Sequence, residues 1–326
     1  MLISETKIFD PADGFAPFLD RGELCDATVA KRGDQWWMFL AGDIPGREGI
    51  QLFSASLPPG APLSATGWKI TARTDNPLRF APLAGHDRSA AWDLKGGRHC
   101  PSYVKGWDPQ REAWVERIYY AGAAENPWGP YAIGYLEWDG NNWLDRADPV
   151  LVASEPWEHR SVYEPNVIYA DNKWKMWYVA GSNRDAYLVQ GYAESADGRS
   201  HWSQHKIFIP EEENVFDFCV VARNEGYEAV FSKVWLRATA PPADTGLWWC
   251  RCKRASSNFL DWGEPVQIMN ASDQGWHSGP WKPSVRYDEN HPQRMFVFFD
   301  GSYKTNEPRP FPFAFTLGCL EVERPK

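Results

Sequence analysis

Five stretches of the chain share one order of polar and apolar positions. A polar residue, in three cases followed by proline, leads a short β-branched run, a turn, and an aromatic strand that ends in small residues. They read DATVAKRGDQWWMFLAG from Asp26, CPSYVKGWDPQREAWVERIYYAG from Cys100, EPNVIYADNKWKMWYVAG from Glu164, DFCVVARNEGYEAVFSK from Asp217 and KPSVRYDENHPQRMFVFFDG from Lys282. Alternation of apolar and polar residues about Gly, Asp and Asn turns is the signal of a β-hairpin. The starts lie 53 to 74 residues apart, enough for a four-stranded antiparallel sheet with its loops.

The third unit shows the remaining strands most clearly. VYEPNVIYAD reads as a first strand, NKWKMWYVAG as a second, LVQGYAESADG as a third and HKIFIP as a short fourth. YAIGYLEWDGNNW and LWWCRCKRASSNFLDWGEPVQIM echo this in other units, and no stretch carries a helical period capped at both ends. Several four-stranded sheets of one chain, set radially, make a propeller. The expected fold is therefore all-β, a single five-bladed β-propeller spanning residues 1–326 with blades starting near 26, 100, 164, 217 and 282. Either ETKIFD near the N-terminus or FTLGCLEVE near the C-terminus is expected to complete the last sheet.

Composition narrows the class. Hydrophobic residues at 43% and charged residues at 24% suit a globular chain. The net charge of −9 argues against nucleic acid, which needs a basic stripe. The opening MLISETKIFDPADG is acidic and lacks a long apolar run, so neither a signal peptide nor a membrane partner is expected, and the expected location is cytoplasmic. The six cysteines are expected to be structural thiols, Cys250 and Cys252 having no second pair or histidine at zinc spacing. Nineteen tryptophans are many; most are expected to fill space between blades, with Trp36, Trp37 and Trp276 as candidates for an aromatic pocket wall.

The first strand of each propeller blade lines the axis, so Asp26, Cys100, Glu164, Asp217 and Lys282 are expected to converge there. Three carboxylates around one cavity shift one another's pKa values, which is how a site separates an acid from a base. A second group, Arg98, His99, Arg160, Trp276, His277, Trp281 and Lys282, lies beside the repeat starts and is the candidate substrate-binding set. Its cations could grip an oxyanion, or could simply neutralise the carboxylates. His277 could alternatively help to hold a central ion. No metal or other cofactor is expected. HWSQH, with His201 and His205, reads as exposed polar sequence, and no GxSxG, P-loop, HExxH or dinucleotide fingerprint occurs.

Asp26-Ala-Thr-Val, Glu164-Pro-Asn-Val followed by KWKMWYVAG, and GYAESADGRSHW together resemble the five-bladed glycoside hydrolases. Among these are glycoside hydrolase family 43, the invertase-like group and the mannoside phosphorylases. The resemblance implies that Asp26 acts as base or nucleophile and Glu164 as general acid. It departs from family 43 at Ser102, where an Asp usually follows Ala-Pro, and it lacks the Arg-Asp-Pro and Glu-Cys of the invertase-like group. Asp217 could supply the missing third carboxylate. The implied function is hydrolysis of a small oligosaccharide or glycoside by a carboxylate pair. The alternatives are a phosphorylase with a basic phosphate site and a propeller that binds carbohydrate without cleaving it.

Overall fold

A computed structural model describes residues 2–10, 24–43, 49–77, 80–84, 92–93, 96–124, 129–182, 187–234, 243–270, 277–303 and 315–326. Among these residues twenty strands form five four-stranded antiparallel sheets, the blades of a five-bladed β-propeller. Strand β1 (Leu2–Phe9) stands apart in sequence from the blade it joins. Blade 1 holds β2 (Leu24–Arg32), β3 (Gln35–Gly42), β4 (Gln51–Ser56) and β5 (Lys69–Ile70). Blade 2 holds β6 (Gly97–Asp108), β7 (Ala113–Ala123), β8 (Tyr131–Trp138) and β9 (Trp143–Asp145). Blade 3 holds β10 (Val162–Ala170), β11 (Lys173–Ser182), β12 (Tyr187–Ser195) and β13 (Ser203–Ile209). Blade 4 holds β14 (Val215–Arg223), β15 (Gly226–Lys233), β16 (Gly246–Cys252) and β17 (Val266–Asn270). Blade 5 is built from both ends of the chain, in the order β1, β20 (Phe315–Glu323), β19 (Arg294–Tyr303), β18 (His277–Tyr287). Both terminal segments thus complete the last sheet, and their pairing fastens the ring.

The inner strands β2, β6, β10, β14 and β18 each break register near their start. In four blades the break spans the repeat-start residue, and Asp26, Cys100, Glu164 and Lys282 take φ values of 58°, 54°, 50° and 49°. A bulge with a left-handed residue re-aims one side chain out of the pleat, at a cost of about 1–3 kcal/mol for a non-glycine. Proline follows in three of the four, where a bulge on an edge strand needs no donor. Blade 4 differs: its break falls between Val215 and Asp217, so Asp217 enters the ring from ordinary paired backbone opposite Ser232.

Two residues further along, the inner strands are stitched to one another. Ser284 Oγ accepts from Val29 N at 3.0 Å, Ser102 Oγ from Val167 N at 3.0 Å, and Asn166 Oδ1 from Val220 N at 2.9 Å. These bonds give an edge donor on each of β2, β10 and β14 a partner on the neighbouring blade.

Each seam between blades is an aromatic core, which explains the tryptophan content. Blades 5 and 1 meet through Trp36, Trp68, Phe53 and Phe298, and blades 2 and 3 through Tyr119, Trp174 and Trp202. Between blades 3 and 4, Trp177 lies edge-on to Tyr192 and Trp262 and tilted against Phe218. Trp36 is therefore core, at the hairpin end of its blade rather than in a pocket wall, and Trp37 packs on Phe39 at 6.4 Å.

Trp177 is fully buried, so Trp177→Ala is expected to lower unfolding free energy by about 3–5 kcal/mol. Urea unfolding followed by tryptophan fluorescence measures this, with Trp177→Phe expected to cost clearly less.

Candidate active site

The bulges bring Asp26, Cys100, Glu164 and Lys282 to the axis, and Asp217 joins them from blade 4. Asp26, Glu164, Asp217 and Lys282 are only 6%, 8%, 4% and 7% exposed. A circuit of contacts links them. Asp26 Oδ2 accepts from Cys100 N at 3.1 Å and lies 3.5 Å from Cys100 Sγ. Cys100 Sγ also lies within 4.8 Å of a Glu164 carboxyl oxygen, and Lys282 Nζ stands 2.8 Å from Glu164 Oε2. Asp217 Oδ2 accepts from Lys282 N at 2.7 Å and from Ser232 Oγ at 2.9 Å.

A sixth member was not anticipated from the repeat starts. Asp300, on β19, is wholly buried, and its Oδ2 accepts from Asp26 N at 2.6 Å. The repeat does hold a signal for it. The position reads Ala41, Ala121, Val179, Ser232 and Asp300 across the five second strands, so one blade carries an acid where the others carry an uncharged residue.

Electrostatics separates these groups. Burial, reinforced by Asp217 and Asp26 and opposed by Lys282, pushes the Glu164 carboxyl up to about 8. Burial likewise raises Asp217, and raises Asp300 well above the carboxylate range, with Asp26 adding to the effect on Asp300. Burial beside Asp26 and Glu164 raises the Cys100 thiol well above its ordinary value, which leaves it a neutral, unreactive group. Desolvation lowers Lys282, but the carboxyl groups around it, Glu164 and Asp217, raise it by more, so it keeps its proton.

One donor atom from each of Asp26, Cys100 and Glu164 lies within 4.8 Å of the other two, a set that could hold a metal ion. The Lys282 ammonium beside Glu164 already supplies a fixed cation there, which disfavours a second. A void of about 20 Å³, room for about one water, is lined by Glu164, Asp217 and Lys282 of the ring together with Thr28, Ser102 and Asn166. A far larger cavity of about 920 Å³ opens at the opposite, hairpin end near Asp171, Gly226 and Ser256. It contains none of the axial carboxyls, so the converging titratable groups, and not the size of a cavity, locate the candidate site.

The candidate substrate-binding set divides. Lys282 sits in the ring as the counter-ion of Glu164. Arg98 is buried inside blade 2, its guanidinium held by Asp93 and Asp145, each at 2.8 Å, and packed over Tyr120. It is not free to meet a ligand. His99 is half-buried, with its ring against Tyr131 at 5.8 Å. Trp281 is half-buried against the cluster of Cys100, Tyr163 and Phe216. Arg160 is exposed. Trp276 and the His277 side chain lie outside the described residues, although His277 backbone starts β18.

Arg160 follows a single 3₁₀ turn, Pro156–Glu158, that leads into β10. Buried Glu158 holds this turn, accepting from Ser154 N at 2.6 Å, Glu155 N at 2.8 Å and Tyr178 OH at 2.6 Å. His205 Nδ1 lies 3.2 Å from the same carboxylate. His205 is thus half-buried and paired, where sequence suggested exposed polar chain, while His201 is exposed.

No protein-family model matches the sequence, and no curated protein matches it. The fold, however, is shared with solved glycoside hydrolases. The protein superposes on BT0996, in its RGII complex, with a TM-score of 0.67 at 15% identity, over 98% of this chain and 93% of that one. The catalytic domain of the Coprinopsis cinerea family 62 α-L-arabinofuranosidase gives 0.61 at 12% identity, over 97% and 95%. Zg3597, a family 117 glycoside hydrolase from Zobellia galactanivorans, gives 0.65 at 11%, over 98% and 89%. The chain is therefore similar in fold to five-bladed propeller glycoside hydrolases, from which its sequence has diverged widely.

The His205–Glu158 pair has a pH signature. The bond to Glu158 raises His205, so its stabilisation is fully present below about pH 6.5 and is lost as pH rises through the folded value. Glu158 is pushed up by burial but held lower overall by its hydrogen bonds, so its share is present above about pH 4.3 and lost as pH falls through the folded value. Calorimetry should find the melting difference between the protein and His205→Asn largest near about pH 5.5 and smaller near about pH 8.5. A difference independent of pH would count against the pair.

Proposed function

We propose that the protein is a glycosidase, cleaving a small oligosaccharide or glycoside at the axial ring with Glu164 as general acid and Asp26 as the opposing base or nucleophile. The observation that carries this is the pairing of the two carboxyls. Their oxygens lie within 4.8 Å of one another in a buried setting, where burial pushes the Glu164 carboxyl up to about 8. Glycoside cleavage needs that division, a protonated acid on the leaving oxygen and an ionised carboxylate on the other face of the sugar. A carboxyl that titrates near 8 is mostly protonated at neutral pH and close enough to it to give its proton up. Two of the fold neighbours, the α-L-arabinofuranosidase and the family 117 glycoside hydrolase, carry names of the same class and support it.

Asp217 serves in this scheme by holding the Lys282 backbone and lending charge to its ammonium, which sets the position of Glu164. Phosphorolysis finds less support, since Arg98 and Lys282 are already engaged by carboxylates of the protein. Carbohydrate is the expected partner, with recognition completed by Arg160, His99 and Trp281 at the mouth.

A panel of 4-nitrophenyl glycosides and unactivated disaccharides tests the assignment. Glu164→Gln is expected to slow cleavage of the unactivated disaccharides by about 10²–10⁴-fold, and of nitrophenyl glycosides by less, because nitrophenolate leaves without a proton. Asp26→Asn is expected to abolish both. A Glu164→Gln protein as active as the parent on every cleaved substrate would remove the acid from the scheme.

A further inference from the structure

We propose that Asp300 is a positioning residue for Asp26, standing in the site as a neutral carboxylic acid that grips the Asp26 backbone and leaves Asp26 as the working carboxylate of the pair. The inference rests on the glycosidase reading for its consequence in catalysis, and on geometry for the rest. Packing does not call for an acid here, because Ala41, Ala121 and Val179 fill the same place in three other blades. Asp300 has no exposed surface, and its Oδ1 has no hydrogen-bond partner among the described residues. Its other oxygen takes the Asp26 N–H at 2.6 Å, the bond that pins Asp26 in its left-handed conformation and so aims its side chain inward.

Among the described residues no cation pairs with it. The charged groups around Asp300 are Asp26 from β2, Glu164 from β10 and Lys282 from β18, while β20 sets Leu317 opposite it. The Lys282 ammonium stands against Glu164, 2.8 Å away, and not against Asp300. A second buried carboxylate against Asp26, without a counter-ion, is far costlier than a neutral acid. Burial and the Asp26 charge both act in that direction. Blade 4 shows the companion device, in which Asp217 holds the Lys282 N–H.

Melting curves from about pH 4 to about pH 8 on the whole protein, Asp300→Asn and Asp300→Ala decide the charge state. A carboxyl kept neutral in the fold ionises once the chain unfolds, so it lowers stability as pH rises from about 4 towards its folded value. Asparagine carries no such penalty. Asp300→Asn should therefore melt near the parent at the acid end and gain on it by about 2–4 °C at the alkaline end. A variant that instead loses ground on the parent as pH rises would show an ionised carboxylate and overturn the proposal. If Asp300→Asn does not fold, Asp300→Ala, which restores the residue of two other blades, should show the same relative gain with pH.

Kinetics on any glycoside the parent cleaves decide the positioning role. Asparagine keeps an oxygen for the Asp26 N–H, so kcat should stay within about 3-fold, whereas Asp300→Ala should lose about 10-fold or more in kcat with KM little changed. Equal kcat for Asp300→Ala and the parent would overturn it. Should no glycoside be cleaved at all, the glycosidase reading falls while the melting curves still settle the charge of Asp300.

Discussion

Four carboxyl groups share the propeller axis with a single ammonium among the described residues, and the rest of the site follows from that imbalance. Asp26, Glu164, Asp217 and Asp300 are each less than a tenth exposed, and Lys282 stands against them as the cation. Buried charge without a partner is expensive, so such a cluster lowers its energy by keeping protons on some members. The protons go where the counter-charge and hydrogen bonds are poorest. Asp300 meets an N–H and another carboxyl, and Glu164 has an ion pair that does not make up for its burial. An acid and a base can therefore coexist a few ångströms apart without either being exposed to bulk water.

Holding such a cluster together needs a frame that tolerates strain. Four residues of the ring sit in left-handed backbone, a conformation that L side chains adopt at a cost. The cost is met by the seams between blades, where buried aromatics from adjacent sheets interlock, and by side-chain bonds such as Ser284 to Val29 that join three pairs of neighbouring inner strands. Closure of blade 5 from both chain ends means that the ring forms only when the whole chain is in place. The site is thus a global product of the fold, although four of its members come from local bulges.

Much of this was legible in the repeat. The five strand starts, the hairpins after them and the use of tryptophan between blades are all encoded locally, in alternation and turn residues. Asp26, Glu164 and Lys282 could be placed because they share one repeat position. Other members were hidden for physical reasons. Asp300 lies on a second strand, and its meaning depends on the 274 residues of chain that separate it from Asp26. Arg98 looks like a ligand-binding cation until Asp145, 47 residues away, is seen to hold it. Asp217 matches the ring in sequence, yet its bulge falls earlier, so its side chain reaches Lys282 from regular backbone. Spacing along a chain reports local geometry, and the partner that decides a charge is usually not local.

The protonation of Glu164 is the centre of the proposed mechanism and can be measured without a substrate. Carbon-13 NMR titration of glutamate side-chain carboxyls, with the Glu164 resonance assigned by its loss in Glu164→Gln, reads it directly. The expected result is a carboxyl that remains protonated at neutral pH and titrates near 8. An inflection at the ordinary glutamate value of about 4.3, leaving Glu164 ionised beside Lys282 throughout the neutral range, would contradict its role as the acid.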